Sequence, residues 1–479
     1  RARREAMAAD VVVINHHLFF ADLALRDSGV AELLPSVDAV IFDEAHQLSE
    51  AGVQFLGSHV GTAQLVDLSR DLLAAGLAHA RGLRPWNEFA AAIEFSARDL
   101  RLVCAGPLRG AAKLRWEERA ELSAFAPALQ AATLACAAAA DALADVLGAA
   151  PDLPKLQERA LAMAARLQAF ELPVEPERVR WIDLTAHQVR LAEAPLDIRE
   201  AMREQVEAQA RAWIFTSATL GDDEHLSWFT RSAGLEEAHT LRVDSPFDYA
   251  GNARLYVPAR FPKPNESAHL PAVAALAARC ALALGGRMFV LTTTIRALQT
   301  VAEMMKELLA ADLDGPEVQL LVQGTMPKRA LLDRFVAAGH AVLVGSHSFW
   351  EGIDVPGDAL QCVLIDKLPF PPPGDPLVQA RTRSLEAMGG DAFNDYFVAE
   401  AAISLKQGAG RLIRSESDRG LLIVCDMRMV TMGYGARLRA ALPPMTAVAS
   451  EAEALAWLAE LARAHDGARP AGKPAVSDW

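Results

Sequence analysis

What most restricts the fold of this chain is a recurring unit, a short apolar run followed by a segment of helical periodicity. In the second half the runs are Met288–Leu291, Gln319–Val322, Ala341–Val344, Cys362–Ile365 and Leu421–Cys425. Runs without a polar face predict strands buried on both sides, the signature of a parallel sheet. The helical patterns between them supply the crossovers such a sheet needs, so an α/β architecture follows. In the first half Val11–Ile14 and Ala39–Phe42 read the same way, and Val179–Leu184 and Trp213–Thr216 read as further strands.

Between Thr62 and Pro173 the character changes. Alanine and leucine dominate, charges are interspersed and strand-like runs are not expected, which predicts a helical insertion broken near Gly106-Pro107 and Pro151–Pro154. Gly221-Asp222-Asp223 and Ser245-Pro246-Phe247 read as turn or linker, and the tail beyond Asp466 as disordered. The expected division is therefore 1–61 and 179–234 as one sheet domain, 62–178 as its insertion, 235–466 as a second sheet domain and 467–479 as tail.

A length of 479 residues suits such a multidomain chain. No uninterrupted apolar stretch reads as a membrane span, and the basic start Arg1-Ala2-Arg3-Arg4 is not followed by the apolar core of a signal peptide. Cys104, Cys136, Cys280, Cys362 and Cys425 form no C-x-x-C pair, so free buried thiols in a reducing cytoplasm are expected. A net charge of −14 argues against binding nucleic acid by bulk electrostatics but leaves room for a local basic stripe.

Two distant segments carry the chemistry. Asp43-Glu44-Ala45-His46 closes the apolar run Ala39–Phe42, so its acids fall at a strand's carboxyl end, where open α/β sheets place ligands. Asp43 there can hold Mg²⁺ on a nucleotide's phosphates and Glu44 can polarise a water; the alternative is an acid pair capping the next helix. The second segment is Gln407-Gly408-Ala409-Gly410-Arg411-Leu412-Ile413-Arg414. Its spacing of 0, +4 and +7 puts Gln407, Arg411 and Arg414 on one helical face, and guanidinium forks suit phosphate. Against a merely solvated basic face stand two glycines, which cost stability inside a helix. Together the segments suggest a nucleoside-triphosphate motor with its active site between two domains.

Other loops follow strand ends. Thr216-Ser217-Ala218-Thr219 can relay contacts or simply cap a helix. In Gly345-Ser346-His347-Ser348-Phe349-Trp350-Glu351-Gly352-Ile353-Asp354, Glu351 and Asp354 are candidates to contact nucleotide. Ser346, Ser348 and Phe349 are candidates for a nucleic-acid strand, with core packing equally open for Phe349 and Trp350. Asn15, His16 and His17 lack a metal-ligand spacing partner and read as a loop or packing element. Lys367 and the proline-rich run to Pro373 read as a rigid connection.

In this order the motifs resemble the XPD-like superfamily 2 helicases, most closely the bacterial DinG/YoaA branch, over all of the chain but the helical insertion. Asp43–His46 resembles motif II, Thr216–Thr219 motif III, Leu291–Thr294 motif IV, Ser348–Asp354 motif V and Gln407–Arg414 motif VI. The resemblance implies two RecA-like parallel-sheet domains, with a mainly helical arch-type insertion in the first. It implies ATP and Mg²⁺ as cofactors and a 4Fe-4S domain ahead of motif II. It further implies 5′→3′ translocation on single-stranded and forked DNA, in the cytoplasm and in DNA repair, by a monomer. On this reading Asp43, Glu44, Arg411 and Arg414 are catalytic, with Asp43 on Mg²⁺. His46, Glu351, Gly352, Asp354 and Gln407 contact nucleotide, and Asn15, His16, Thr219, Thr294, Ser346, Ser348 and Phe349 contact nucleic acid.

Two departures matter. No G-x-x-x-x-G-K-[ST] phosphate loop and no set of cluster cysteines occurs in the 479 residues. The expectation is an N-terminally shortened helicase that alone neither hydrolyses ATP nor binds a cluster. A non-catalytic nucleic-acid-binding module and a helicase-related nuclease are the alternatives.

Overall fold

In the computed structural model, the residues described are 2–27, 34–108, 110–208, 211–221, 223–311, 316–346, 349, 355 and 357–468. The chain forms two compact units. One holds the chain up to Ala218 with Phe229–Glu237 and Pro372–Gly390; the other holds Thr219–Trp228, Ala238–Pro371 and the chain from Asp391 on.

In the first unit, β1 (Ala39–Phe42) pairs in parallel with the last strand before the second unit, Ala212–Phe215. Between them in sequence lie β2 (Ser58–Gly61), β3 (Ala112–Arg115), β4 (Arg178–Leu184) and β5 (Val189–Pro195), which makes Ala212–Phe215 β6. An aromatic cluster backs the parallel pair. Phe42 stacks on Phe215 at 5.2 Å, and Phe19, from the helix His16–Asp27, meets it edge-on at 4.9 Å. The expected strand Val11–Ile14 is not one. It forms no ladder among the described residues, and Val11 and Val13 are 81% and 92% exposed. An apolar run becomes a strand only when a neighbour completes its hydrogen bonds.

The stretch expected to be helical holds four long helices, Thr62–His79, Trp86–Ala105, Phe125–Ala144 and Leu153–Glu171. They share one core that includes Leu68, Leu72, Trp86, Ile93, Leu129, Leu143 and Leu167. The breaks fall as expected, with Gly106 capping one helix at φ 53° and Pro154 opening another. Two expectations are corrected here. Phe125–Ala144 is by length and composition apolar enough to cross a membrane, yet its Leu129, Ala132, Cys136, Ala139 and Leu143 are core residues. Strands are not absent either. β3 lies within the stretch, and an antiparallel sheet ordered β2-β5-β4-β3 packs Ile182, Leu184, Val189 and Leu191 onto the helices.

The second unit is built on a seven-stranded, all-parallel sheet. Its strands are β7 (Ala253–Tyr256), β8 (Met288–Thr292), β9 (Gln319–Val322), β10 (Ala341–Ser346), β11 (Cys362–Ile365), β12 (Gly420–Val424) and β13 (Thr446–Val448). They are ordered β13-β7-β12-β11-β8-β10-β9. All five expected strands are present, while β7 and β13 were not anticipated. Phe289, Leu291, Leu343 and Ile365 point to one core, and Met288, Val290, Val342 and Leu364 to another, as a sheet covered on both faces requires. The connections leave β8 and β11 in opposite directions, so the order reverses between those two strands, where ligand crevices form.

Candidate active site

The first unit assembles the acids at the end of β1. Glu44 adopts a left-handed backbone at φ 49° and ψ 44°, a conformation that costs a non-glycine residue roughly 1–2 kcal/mol. Several contacts hold it. The Ala45 amide donates to the Thr216 carbonyl at 2.9 Å, and the Thr216 amide donates to the Phe42 carbonyl at 2.8 Å. The Thr216 hydroxyl reaches Asp43 Oδ1 at 3.3 Å, and Ser217 Oγ donates to Glu44 Oε2 at 3.1 Å. His46 Nδ1 lies 2.9 Å from Ser217 Oγ and 3.3 Å from Glu44 Oε2. Residues 173 positions apart thus form one polar set, with both carboxylates exposed.

His16 Nε2 lies 2.9 Å from the Asp43 carbonyl, and Asn15 Oδ1 accepts from the Leu18 amide at 2.8 Å, starting the helix behind β1. Burial holds the His16 imidazole below its usual range, while its contact with the Asp43 carbonyl works the other way. His16 is half-buried against Phe42, whereas Asn15 is exposed and its side chain serves the helix start.

The donor set fits Mg²⁺. At a phosphoryl site this ion takes one or two carboxylates and completes its shell with phosphate oxygens and water, and Asp43 offers one exposed carboxylate. No cluster of three or more His, Cys, Asp or Glu able to hold a metal occurs among the described residues. The five cysteines do not fit an iron–sulfur centre. All are buried, and burial pushes the thiols of Cys104, Cys136 and Cys280 up to about 12, away from the thiolate a metal needs.

In the second unit the expected single helical face is corrected. The helix Ala399–Ala409 carries a half-buried Gln407 and ends before the arginines, with Gly410 as its cap. Arg411 and Arg414 lie on the irregular chain beyond it, because Leu412 and Ile413 turn into the core. Asp418 fixes this loop. It accepts from the Arg414 amide at 2.7 Å, the Ser415 amide at 2.8 Å and Ser415 Oγ at 2.6 Å. Gly357 makes room for it, since a Cβ there would collide with the Asp418 carboxylate.

The nucleic-acid candidates divide by exposure. Thr294 is exposed and its hydroxyl caps the helix Ile295–Ala311 through the Ala297 amide at 3.1 Å. Phe349 is 2% exposed and packs in the core under Lys328, which corrects its reading as a strand contact. Thr219 and Ser346 are buried as well, and Ser346 Oγ donates to Gln323 Oε1 at 2.9 Å, so neither side chain presents itself to a strand. Ser348, Glu351, Gly352 and Asp354 lie outside the described residues.

Sequence reasoning missed two acids at the carboxyl edge of the large sheet. Asp366, one residue past β11, is 1% exposed. It accepts from the Thr293 and Lys367 amides at 3.1 and 2.8 Å, and burial pushes it up to about 7. Asp426, just beyond β12, is also buried. Burial would raise it, but the paired Arg428 and the Leu368 amide outweigh that and hold it low. An acid directly after a buried apolar run was the available signal, the same one that exposed Asp43.

Residues 278–445 match the family described as Helicase C-terminal domain. The fold is similar to that of S. tokodaii Xpd4 with a TM-score of 0.56, at 13% identity over 90% of this chain and 81% of that one. The fold is that of an XPD-like α/β protein. In sequence the chain is 39% identical to the ATP-dependent DNA helicase YoaA of Escherichia coli over 464 residues, 96% of this chain and 71% of that protein. It is 35% identical to the ATP-dependent DNA helicase YoaA of Haemophilus influenzae, over 92% of this chain and 68% of that protein. The chain belongs to the DinG/YoaA family.

Proposed function

We propose that this chain functions within an ATP-dependent DNA helicase that translocates 5′→3′ on single-stranded DNA and unwinds duplexes in cytoplasmic DNA repair. The observation that carries the reading is the Asp43–Glu44 pair at the end of β1, tied to Thr216 and Ser217. In this role Asp43 holds Mg²⁺, which neutralises phosphate charge when bound, and Glu44 orients the attacking water. Arg411 and Arg414 stabilise charge on the transferred phosphoryl group, and His46 and Gln407 contact nucleotide. Ser217, between Glu44 and His46, keeps the acid's orientation tied to the strand-end loop after β6. The same reading assigns 62–178 as an arch-like insertion and the protein as a monomer on single-stranded and forked DNA.

The test is Arg411→Ala in the intact native protein, measured by ATP turnover and by single-stranded DNA affinity. Loss of an arginine acting on the phosphoryl group lowers turnover by about 10³–10⁵, with DNA affinity within a few-fold of wild type. Retained turnover refutes the role. The 479 residues contain no phosphate loop, so this chain alone is expected to show no ATPase activity.

A further inference from the structure

His16 was read from sequence as a loop or packing residue and, by resemblance, as a strand contact, and the geometry adds another role. Its Nε2 sits 2.9 Å from the backbone carbonyl oxygen of Asp43. A carbonyl oxygen only accepts, so the proton must reside on Nε2. The ring is half-buried, meeting Phe42 edge-on at 5.8 Å. Its backbone is fixed as well, because Asn15 caps the helix His16 begins and Phe19, one turn on, is wedged against Phe42 and Trp213. The donor is therefore delivered to the carbonyl from a rigid support.

The peptide it holds is the critical one. The Asp43 carbonyl belongs to the plane joining Asp43 to Glu44, and rotation of that plane sets both the ψ of Asp43 and the φ of Glu44. Glu44 is held at φ 49°, and such strain persists only where the surroundings over-determine it. Ala45 is tied to the Thr216 carbonyl and the Glu44 carboxylate to Ser217. These contacts grip the chain after the strained peptide, whereas His16 grips the peptide itself.

We propose that His16 is a positioning residue for ATP hydrolysis: its N–H to the Asp43 carbonyl fixes the plane that aims the Asp43 carboxylate at Mg²⁺ and keeps Glu44 left-handed. The inference rests on the functional reading above. Without the bond the plane can rotate to relieve Glu44, and both carboxylates move away from the phosphate.

The test compares His16→Ala and His16→Gln with wild type in the intact native protein. Three readouts are used: kcat for DNA-stimulated ATP hydrolysis, the Mg²⁺ concentration at half-maximal rate, and single-stranded DNA affinity. A misplacement near 1 Å costs about 10²-fold in rate, so His16→Ala is expected to lower kcat by about 10- to 100-fold and raise the Mg²⁺ requirement. DNA affinity should stay within two-fold. His16→Gln keeps an N–H donor and is expected to recover most of the rate. Wild-type kcat and Mg²⁺ dependence in His16→Ala overturn the proposal. So does a loss confined to DNA affinity, which makes His16 a strand contact, or equal loss in both variants with a lowered melting temperature, which makes it structural. A wild-type protein without DNA-stimulated ATP hydrolysis overturns the functional reading instead.

Discussion

Replacing Asp418 by alanine should release the loop that carries Arg411 and Arg414, and the structure sets the size of the effect. The buried carboxylate accepts three bonds, from the Arg414 amide, the Ser415 amide and Ser415 Oγ, all between 2.6 and 2.8 Å. A hydrogen bond to a charged partner contributes about 1.5–3 kcal/mol. The three share one acceptor and Ser415 can turn to water, so they are not additive, and roughly 3–4 kcal/mol is the reasoned total. Each 1.36 kcal/mol is tenfold in an equilibrium constant, so local opening becomes about 10²–10³ times more frequent. Amide hydrogen exchange over residues 410–420 reads this directly, because those amides are protected only while the loop is closed. Asp418→Asn keeps an acceptor but not the charge, and exchange is expected at an intermediate rate. The reasoning fails if Asp418→Ala leaves exchange there within three-fold of wild type, since the loop would then be held by other contacts, such as the packing of Leu412 and Ile413 and the Asn252 bond to the Glu416 carbonyl.

Two further outcomes follow from packing and charge. Asp366, pushed up from 3.8 to about 7 by burial, stays protonated in the folded protein while an unfolded chain has already ionised it. Between about pH 4 and pH 7 the folded state binds the extra proton, so stability falls as pH rises, by about 4 kcal/mol in total at 1.36 kcal/mol per tenfold. Asp366→Asn should flatten this slope in denaturant titrations across that range and be the more stable protein at pH 8; an unchanged slope refutes it. Gly52, inside the helix Leu48–Leu56, has the buried Phe20 ring 2.6 Å and Ile198 Cγ2 2.5 Å from where a Cβ would sit. Overpacking costs about 1–3 kcal/mol against a helix-propensity gain of about 1 kcal/mol. Gly52→Ala is therefore expected to lower the melting temperature, and a rise would show that Phe20 yields.

The strands of the large sheet were legible because their residues are apolar on both faces, which little else produces. β7 and β13 were not. β7 mixes Arg254 with its apolar residues, and β13 has only three residues, largely exposed. β4 was seen as a strand, but its place in an antiparallel sheet was hidden by Arg180. That guanidinium is buried by bonds to Glu193 and to the carbonyls of Ala169, Phe170 and Leu172, which lie across loops from it. The spacing of Gln407, Arg411 and Arg414 misled for a physical reason. Periodicity states which residues would share a face if the helix continued, and here Gly410 and the burial of Leu412 and Ile413 end it. At the site the acids were legible from one strand end. Their link to Thr216 and Ser217 was not, because it spans 173 residues and exists only once β1 and β6 pair.

The two strand-end acids show what separates a carboxylate able to take up a metal from a structural one. Asp43 follows β1 and Asp366 follows β11, each after an apolar run and each with a threonine hydroxyl nearby, Thr216 at 3.3 Å and Thr293 at 3.5 Å. By pattern they are equivalent. Asp366, however, is enclosed, with Oδ1 accepting from the amides of Thr293 and Lys367 and Oδ2 near the Thr293 hydroxyl, so it joins β11 to the turn after β8 and has no lone pair facing solvent to offer a hydrated cation. Asp43 has its backbone anchored through His16 and the β6 ladder, while its carboxylate, beyond the long Thr216 contact to Oδ1, stays exposed. A metal-binding acid needs this division: the main chain over-determined so that the carboxylate does not wander, and the oxygens left to the ligand. Burial and hydrogen bonding of the side chain, which no strand-end motif encodes, therefore decide which of the two acids is open to a cation.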